Sequence, residues 1–287
     1  MNRTGEKAVE TLFFLSAFFS ALLTIAIFGF MLVLGLPLFA EGRFFAIITE
    51  PWAPHLGHFG ISSMIAGTLA ISLLSMLFAF PLCLGCAILI SVVSRGKISR
   101  LLRKMVEMMT GIPTVIYGFV GIFLLVRLVR EFFDAGSGMC VLSASLMLTL
   151  MISPTMILFF CDSFERVPRS YGQAVLAMGG TEIQRFLYVT LPNSWPGIVV
   201  GFTLSLGRAL GDTLIALMIA GNAVQTPGSL LDSARTLTSH IALVFAADYE
   251  SLEFKAIFAC GIFLYLFTTL LVMTVRLLGK SRERWAR

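Results

Sequence analysis

Residues 168–192 read PRSYGQAVLAMGGTEIQRFLYVTLP, and residues 195–222 read WPGIVVGFTLSLGRALGDTLIALMIAGN. The first string is polar and broken by glycines. The second is an apolar run that nevertheless holds Arg208 and Asp212. An ionised side chain at mid-membrane costs at least about 2.5–3.5 kcal/mol on insertion scales, so such residues typically mark pathways. A segment that a partner can push thus leads directly into a membrane helix that can touch an anion.

The surrounding composition identifies the solvent. Hydrophobic residues make up 57% of the chain and charged residues 13%, and mean hydropathy is +0.92. Soluble domains are about a quarter charged, so the 287 residues are expected to form a polytopic membrane protein. Apolar runs lie at about 12–36, 61–93, 105–126, 139–160, 195–220 and 256–278, and about twenty such residues cross the hydrocarbon core. The expected fold class is therefore an all-α membrane protein of about six transmembrane helices. The first run is too long for a signal peptide and lacks a small-residue cleavage site, so it is expected to be an uncleaved first helix. Residues 1–60 form this N-terminal helix and an external loop. Residues 61–287 form the main transmembrane domain, from which 168–192 projects. Gly111 and Pro113 put a kink in the third run. The loop 223–253, with SLLDSARTLTSHIALVF, is compatible with an amphipathic surface helix.

Net charge is +5, and its distribution explains it. With both termini cytoplasmic, the inner segments carry Arg3, Lys7, Arg95, Lys97, Arg100, Arg103, Lys104, Arg166, Arg169, Arg185, Arg276, Lys280, Arg282, Arg284 and Arg287. Only Arg43, Arg127, Arg130, Arg235 and Lys255 lie outside, and Arg208 is inside a span. Fifteen against five follows the positive-inside rule, so no nucleic-acid partner is expected. The five cysteines do not suggest a disulfide framework. Cys83 and Cys86 sit mid-span as packing residues, and His55 and His58 read as interfacial polar groups rather than a metal site.

The 168–192 segment has a legible internal plan. Pro168 suits a first helical turn, Arg169 to Met178 can be helical, and Gly179-Gly180 can end that helix in a left-handed turn. Thr181 and Gln184 match a capping box for a second helix, which Pro192 is expected to stop near Leu191. Tyr171, Ala174, Val175 and Met178 would form an exposed apolar patch, the kind of surface that awaits a partner. This pattern resembles the cytoplasmic signature of ABC-importer membrane subunits: E-A-A, three residues, Gly, nine residues, Ile, one residue, Leu-Pro. Gln173, Ala174, Val175, Gly179, Val189, Leu191 and Pro192 occupy those positions, with Gln173 replacing the acid and Val175 the second alanine. The resemblance implies docking on a nucleotide-binding subunit and transmission of its closure.

Arg208 and Asp212 are four apart and are expected on one helical face. They form either a structural ion pair or an anion contact, since a guanidinium can clamp two phosphate oxygens. Gly197/Gly201 and Gly207/Gly211 are small-residue pairs that permit close helix approach. LGRALGDTLIALMIAGN resembles the R-A-x-G-E-T stretch of phosphate-importer permeases, especially PstC-type subunits, with Asp212 for the usual Glu. TGIPTVIYG at 110–118 resembles their G-I-P-S-x-x-Y-G, and RTLTSHIA at 235–242 their R-T-L-T-x-x-I-A. Thr114 and Tyr117 offer hydroxyls either to a passing anion or to the kink itself. Arg127 and Arg130 stand at the outer mouth, either drawing anions or pairing with Glu131 and Asp134.

The resemblance implies a type I ABC-importer transmembrane domain in a bacterial cytoplasmic membrane. It would carry inorganic phosphate past Arg208, with Asp212 accepting a hydrogen bond from a protonated oxyanion. No G-x-x-x-x-G-K-[ST] phosphate cradle is present in the sequence. The chain is thus expected to bind no cofactor, with ATP and Mg on a partner ATPase dimer. The other implied partners are a second, PstA-like permease and a phosphate-binding protein outside. The competing readings are a permease for sulfate, molybdate or phosphonate, a secondary anion transporter, and a non-transporting signalling subunit.

Overall fold

In hydrocarbon, a long apolar run satisfies its backbone N–H and C=O groups by coiling into helix, and most of this chain does so. The computed structural model describes residues 3–40, 44–94, 96–134, 136–246, 248 and 251–283. Arg43, Arg95, Arg284 and Arg287 of the charge balance lie outside the described residues. Four helices are long and apolar enough to cross a membrane: within α1 (Arg3–Ala40), α3 (Ser62–Ile88, extended by a π turn to Val93), α7 (Val141–Glu165) and α14 (Leu252–Glu283). A short helix α2 (Phe44–Thr49) and a two-stranded hairpin, Trp52–Ala53 with His58–Phe59, join α1 to α3.

The two remaining expected spans are both broken. The third becomes α4 (Lys97–Thr110) and then α5 (Thr114–Val120), a π turn and α6 (Arg127–Phe133). The two parts meet at 94°, so Gly111 and Pro113 make a corner rather than a kink. The basic residues Lys97, Arg100, Arg103 and Lys104, counted among the inner segments, lie in the first turns of α4. Arg103 fastens α4 to α7 through Asp162 and Glu165. The fifth span becomes α11 (Trp195–Gly211) and α12 (Leu214–Ile219).

The core is the packing of α3, α7 and α11. Ser75, Ala79, Cys83 and Ala87 recur every fourth residue on α3, and all are fully buried. Such a seam lets backbones approach closely, with hydroxyls bonding across it. Ser75 Oγ donates to Ser145 O at 3.0 Å, and Thr149 Oγ1 donates to Ser75 O at 3.1 Å. Cys83 thus packs as expected, while Cys86 is exposed; both are free thiols. On the other side of α7, a side chain at Gly197 would strike Ser163, and one at Gly201 would meet Phe159 Cβ at 2.8 Å. α1 leans on α14, with Gly35 against Ile262 and Phe28 beside Tyr265.

The segment 223–253 departs from its expected form. Its only regular helix among the described residues is α13 (Leu237–Val244), and residues 236–240 are buried rather than lying on a surface. The reason is internal polar satisfaction. Thr236 and Ser239 form a reciprocal capping box, and the Leu237 N–H is accepted by Thr68 Oγ1 of α3 at 2.9 Å. A run that closes most of its own hydrogen bonds can be inserted among helices at low cost; His240 Nε2 is the exception, buried with no hydrogen-bond partner among the described residues. At the hairpin, His58 Nδ1 lies 2.9 Å from Glu50 Oε2, a carboxylate partner not anticipated for the H-x-x-H. No group of three metal-ligating side chains occurs among the described residues.

Candidate substrate pathway and coupling segment

The chemistry-bearing residues gather at the two helix breaks. Gly211 ends α11, and Asp212 has extended backbone, φ −69° and ψ 130°. Arg208 and Asp212 therefore do not share one helical face as the i,i+4 spacing suggested. Asp212 instead acts as a cap: its Oδ2 accepts the Ile215 N–H at 2.9 Å, satisfying an orphan donor at the start of α12. Its carbonyl accepts from Thr238 Oγ1 at 2.7 Å, tying the break to the buried 236–240 run. Arg208 is half-buried near the end of α11 and donates from NH1 to Thr155 Oγ1 at 2.7 Å. No ion pair joins Arg208 to Asp212 or to another carboxylate among the described residues.

Tyr117 is buried, and its hydroxyl donates to Met109 O at 3.2 Å across the α4–α5 corner. Of the two roles open to it, the structure shows it closing the corner, within electrostatic reach of Arg208. Thr114 begins α5 and is half-buried. Arg127 pairs with Glu131 at 2.8 Å, as in the local-pairing reading. Arg130 makes no ion pair among the described residues, and Asp134 ends α6 in a left-handed conformation. The small-residue pairs of α11 behave differently from one another. Gly197/Gly201 form the seam with α7, whereas no described residue lies within 4 Å of a Cβ placed at Gly207 or Gly211.

In the projecting segment, α8 (Arg169–Ala177) ends at Gly179 with φ +83°, a left-handed turn that favours glycine. The Thr181–Gln184 capping box opens α9 (Glu182–Arg185). Pro192 does not terminate this second helix. A π turn at 186–190 makes Leu191 N–H reach back to Phe186 O, and the chain continues through α10 (Leu191–Asn193) into α11. The projecting segment is thus in near-continuous helical connection with α11, the helix that carries Arg208. Ser194 Oγ also donates to Ser163 O of α7 at 3.0 Å. Tyr171, Gln173, Ala174 and Met178 are exposed, and Val175 is half-buried against Gly180. Exposed Ile183 and Tyr188 extend the patch; neither stood out in the sequence because both fall inside a run that alternates with polar residues.

Sequence reasoning missed Thr155, Thr68 and Thr238. Thr155 follows Pro154 in an otherwise ordinary apolar span, and no spacing rule relates it to Arg208. Thr238 was visible only as part of the polar TLTS run inside a loop.

Residues 82–284 match the family of binding-protein-dependent transport system inner membrane components. The chain belongs to this family. It is 30% identical over 226 residues to the probable ABC transporter permease protein YqgH of Bacillus subtilis (strain 168), covering 78% of this chain and 73% of that one. It is 29% identical to the phosphate transport system permease protein PstC of Pasteurella multocida (strain Pm70), over 99% and 95% of the two chains. Among solved structures, it resembles a chain of a bacterial alginate ABC transporter with a TM-score of 0.65 and 15% identity, covering 96% of each. A chain of the MetNI methionine ABC transporter aligns at 0.58 and 20% identity, over 79% of this chain and 96% of that one. The fold is that of a type I ABC-importer transmembrane domain, and the chain is a multi-pass membrane protein.

Proposed function

We propose that this chain is the permease subunit of an ATP-driven importer that passes inorganic phosphate across the cytoplasmic membrane. The observation that carries the reading is Arg208: a guanidinium inside an apolar domain, held by a threonine hydroxyl and in direct ion pair with no carboxylate among the described residues, Asp212 being only within electrostatic reach. A cation kept in this way is available to an anion, for which a planar fork of donors gives two-point recognition. Asp212 supports the choice of anion. Its carboxylate caps the start of α12 through the Ile215 N–H, and a remaining lone pair can accept the proton of a hydrogen phosphate. Sulfate, unprotonated at neutral pH, has none to donate. Phosphate permeases among the relatives support the same substrate. Thr114 and Tyr117 would line the way past the corner, and Arg127 and Arg130 its outer mouth.

Energy enters through residues 168–192. An ATPase dimer, holding ATP and Mg, would seat the patch around Gln173, Ala174, Val175 and Gly179. Its closure would move Val189, Leu191 and Pro192, and with them α11. The open face at Gly207 and Gly211 suits a second, PstA-like permease, and a phosphate-binding protein would deliver substrate from outside; both termini would be cytoplasmic. The test is Arg208→Gln in the assembled complex, reconstituted with its binding protein. Phosphate uptake is expected to fall by two orders of magnitude or so, as for loss of a charged hydrogen-bonding partner, while assembly and ATP hydrolysis persist. Normal uptake would remove the pathway from Arg208.

A further inference from the structure

A second arginine carries a charge that no carboxylate among the described residues answers. Arg235 is half-buried just ahead of α13, and its Nε donates to Asn222 O at 3.0 Å. One terminal nitrogen, NH1, lies 3.5 Å from Nδ1 of His240. Asn222 and Gly221 take left-handed conformations, φ 60° and 85°, which set the carbonyl that Arg235 grips. His240 is fully buried and stands edge-on to Trp52, ring centroids 4.3 Å apart. Burial, with the Arg235 charge beside it, pushes His240 down to about 4, so its ring is neutral and Nδ1 serves as an acceptor. Both fixed partners of the guanidinium are therefore uncharged.

The neighbouring acids are committed elsewhere. Asp232 accepts the N–H groups of Gly228 and Ser229 at 2.9 and 2.8 Å. Asp212 caps Ile215, and Glu50 holds His58. Arg235 makes no ion pair among the described residues. A guanidinium has five N–H donors in a fixed fork; Asn222 and His240 take two and lock its plane, leaving three on the terminal nitrogens. Withdrawing such a charge from water without a counter-charge is unfavourable, which is the condition of a site that receives an anion.

Resting on the phosphate-importer reading, we infer that Arg235 is a second oxyanion contact, meeting a phosphate-class anion at the far end of α12 from Asp212. The two positions are physically linked. Asp212 caps the start of α12, Asn222 follows its end, and Thr238, three residues beyond Arg235, donates to the Asp212 carbonyl. At 1.5 Å per residue, the six residues of α12 run about 9 Å between the Asp212 cap at its start and the Asn222 turn beyond its end. Two spaced sites allow an anion to be drawn in at one and released to the other, the arrangement that conduction favours over a single tight site.

The test uses the full complex in proteoliposomes with its binding protein, measuring uptake of phosphate and of sulfate alongside ATPase activity stimulated by loaded binding protein. Arg235→Gln keeps a donor for the Asn222 carbonyl but removes the charge. Uptake is expected to fall roughly tenfold or more with stimulated ATPase retained, and Arg235→Lys is expected to restore a substantial part of it. Equal uptake by Arg235→Gln and wild type would overturn the inference. Lysine as poor as glutamine, with stimulated ATPase lost in both, would also overturn it, showing Arg235 to be only a fastener of the 223–236 turn. If the wild-type complex takes up sulfate but not phosphate, the substrate reading falls, and the same variants then decide Arg235 on sulfate. If it takes up neither anion, both readings fall.

Discussion

Arg208 was the most legible residue of the chain, because a basic side chain in an apolar run must be either paired internally or held for a ligand. Its surroundings were not legible. The four-residue spacing to Asp212 implied a shared face, but spacing converts to geometry only while the helix continues, and α11 ends at Gly211. The carboxylate caps a new helix instead, which leaves the arginine without a direct ion pair among the described residues, with Asp212 only within electrostatic reach. His240 gives a prediction of its own. Its pKa is depressed from the ordinary 6.5 to about 4, so the folded form binds its proton later than the unfolded form as pH falls. Its contribution to stability is complete above pH 6.5 and is lost as pH drops from 6.5 toward 4. Thermal unfolding of the solubilised complex is expected to show this decline, and His240→Gln to flatten it. An unchanged pH slope in the variant would contradict the buried, neutral imidazole.

At the scale of elements, the sequence located nearly every helix, and capping chemistry was its most dependable guide. The Thr181–Gln184 box and the left-handed Gly179 both arise from local rules that tertiary packing has no reason to override. Pro192 failed as a stop for a physical reason: the π turn before it changes the hydrogen-bond register, and the absent N–H then breaks nothing. The 94° corner after Thr110 was legible only as a kink, since its angle depends on Tyr117 reaching back to Met109 and on Arg103 holding α4 to α7. The buried 236–240 run was misjudged because its polarity reads as exposure until its bonds to Thr68 and Asp212 are seen. The docking role of α8 is testable at this scale. Ala174→Trp is expected to cost at least roughly tenfold in co-purification with the ATPase, or to leave hydrolysis unresponsive to loaded binding protein. Unchanged assembly and coupling would remove the docking role from this patch.

For the whole molecule, the charge asymmetry and apolar runs were enough to give an all-helical membrane domain. The strings around Arg208, Thr114 and Arg235 pointed to its family. What the sequence could not show is which face of α11 the fold leaves uncovered. Gly197/Gly201 close against α7, whereas Gly207/Gly211 face open space among the described residues, so the face beside Arg208 is free to meet another subunit. On the proposed reading the molecule is a lever and half a channel: residues 168–192 run through a π turn into α11, and α11 ends at the arginine and the capped break. The most direct measurement is binding-protein-dependent uptake of labelled phosphate by the reconstituted complex, with arsenate and sulfate as competitors. Uptake that requires ATP, is suppressed by arsenate, which carries a proton at neutral pH, and is indifferent to sulfate is the predicted result. Uptake without the ATPase, or equal suppression by sulfate, would contradict it.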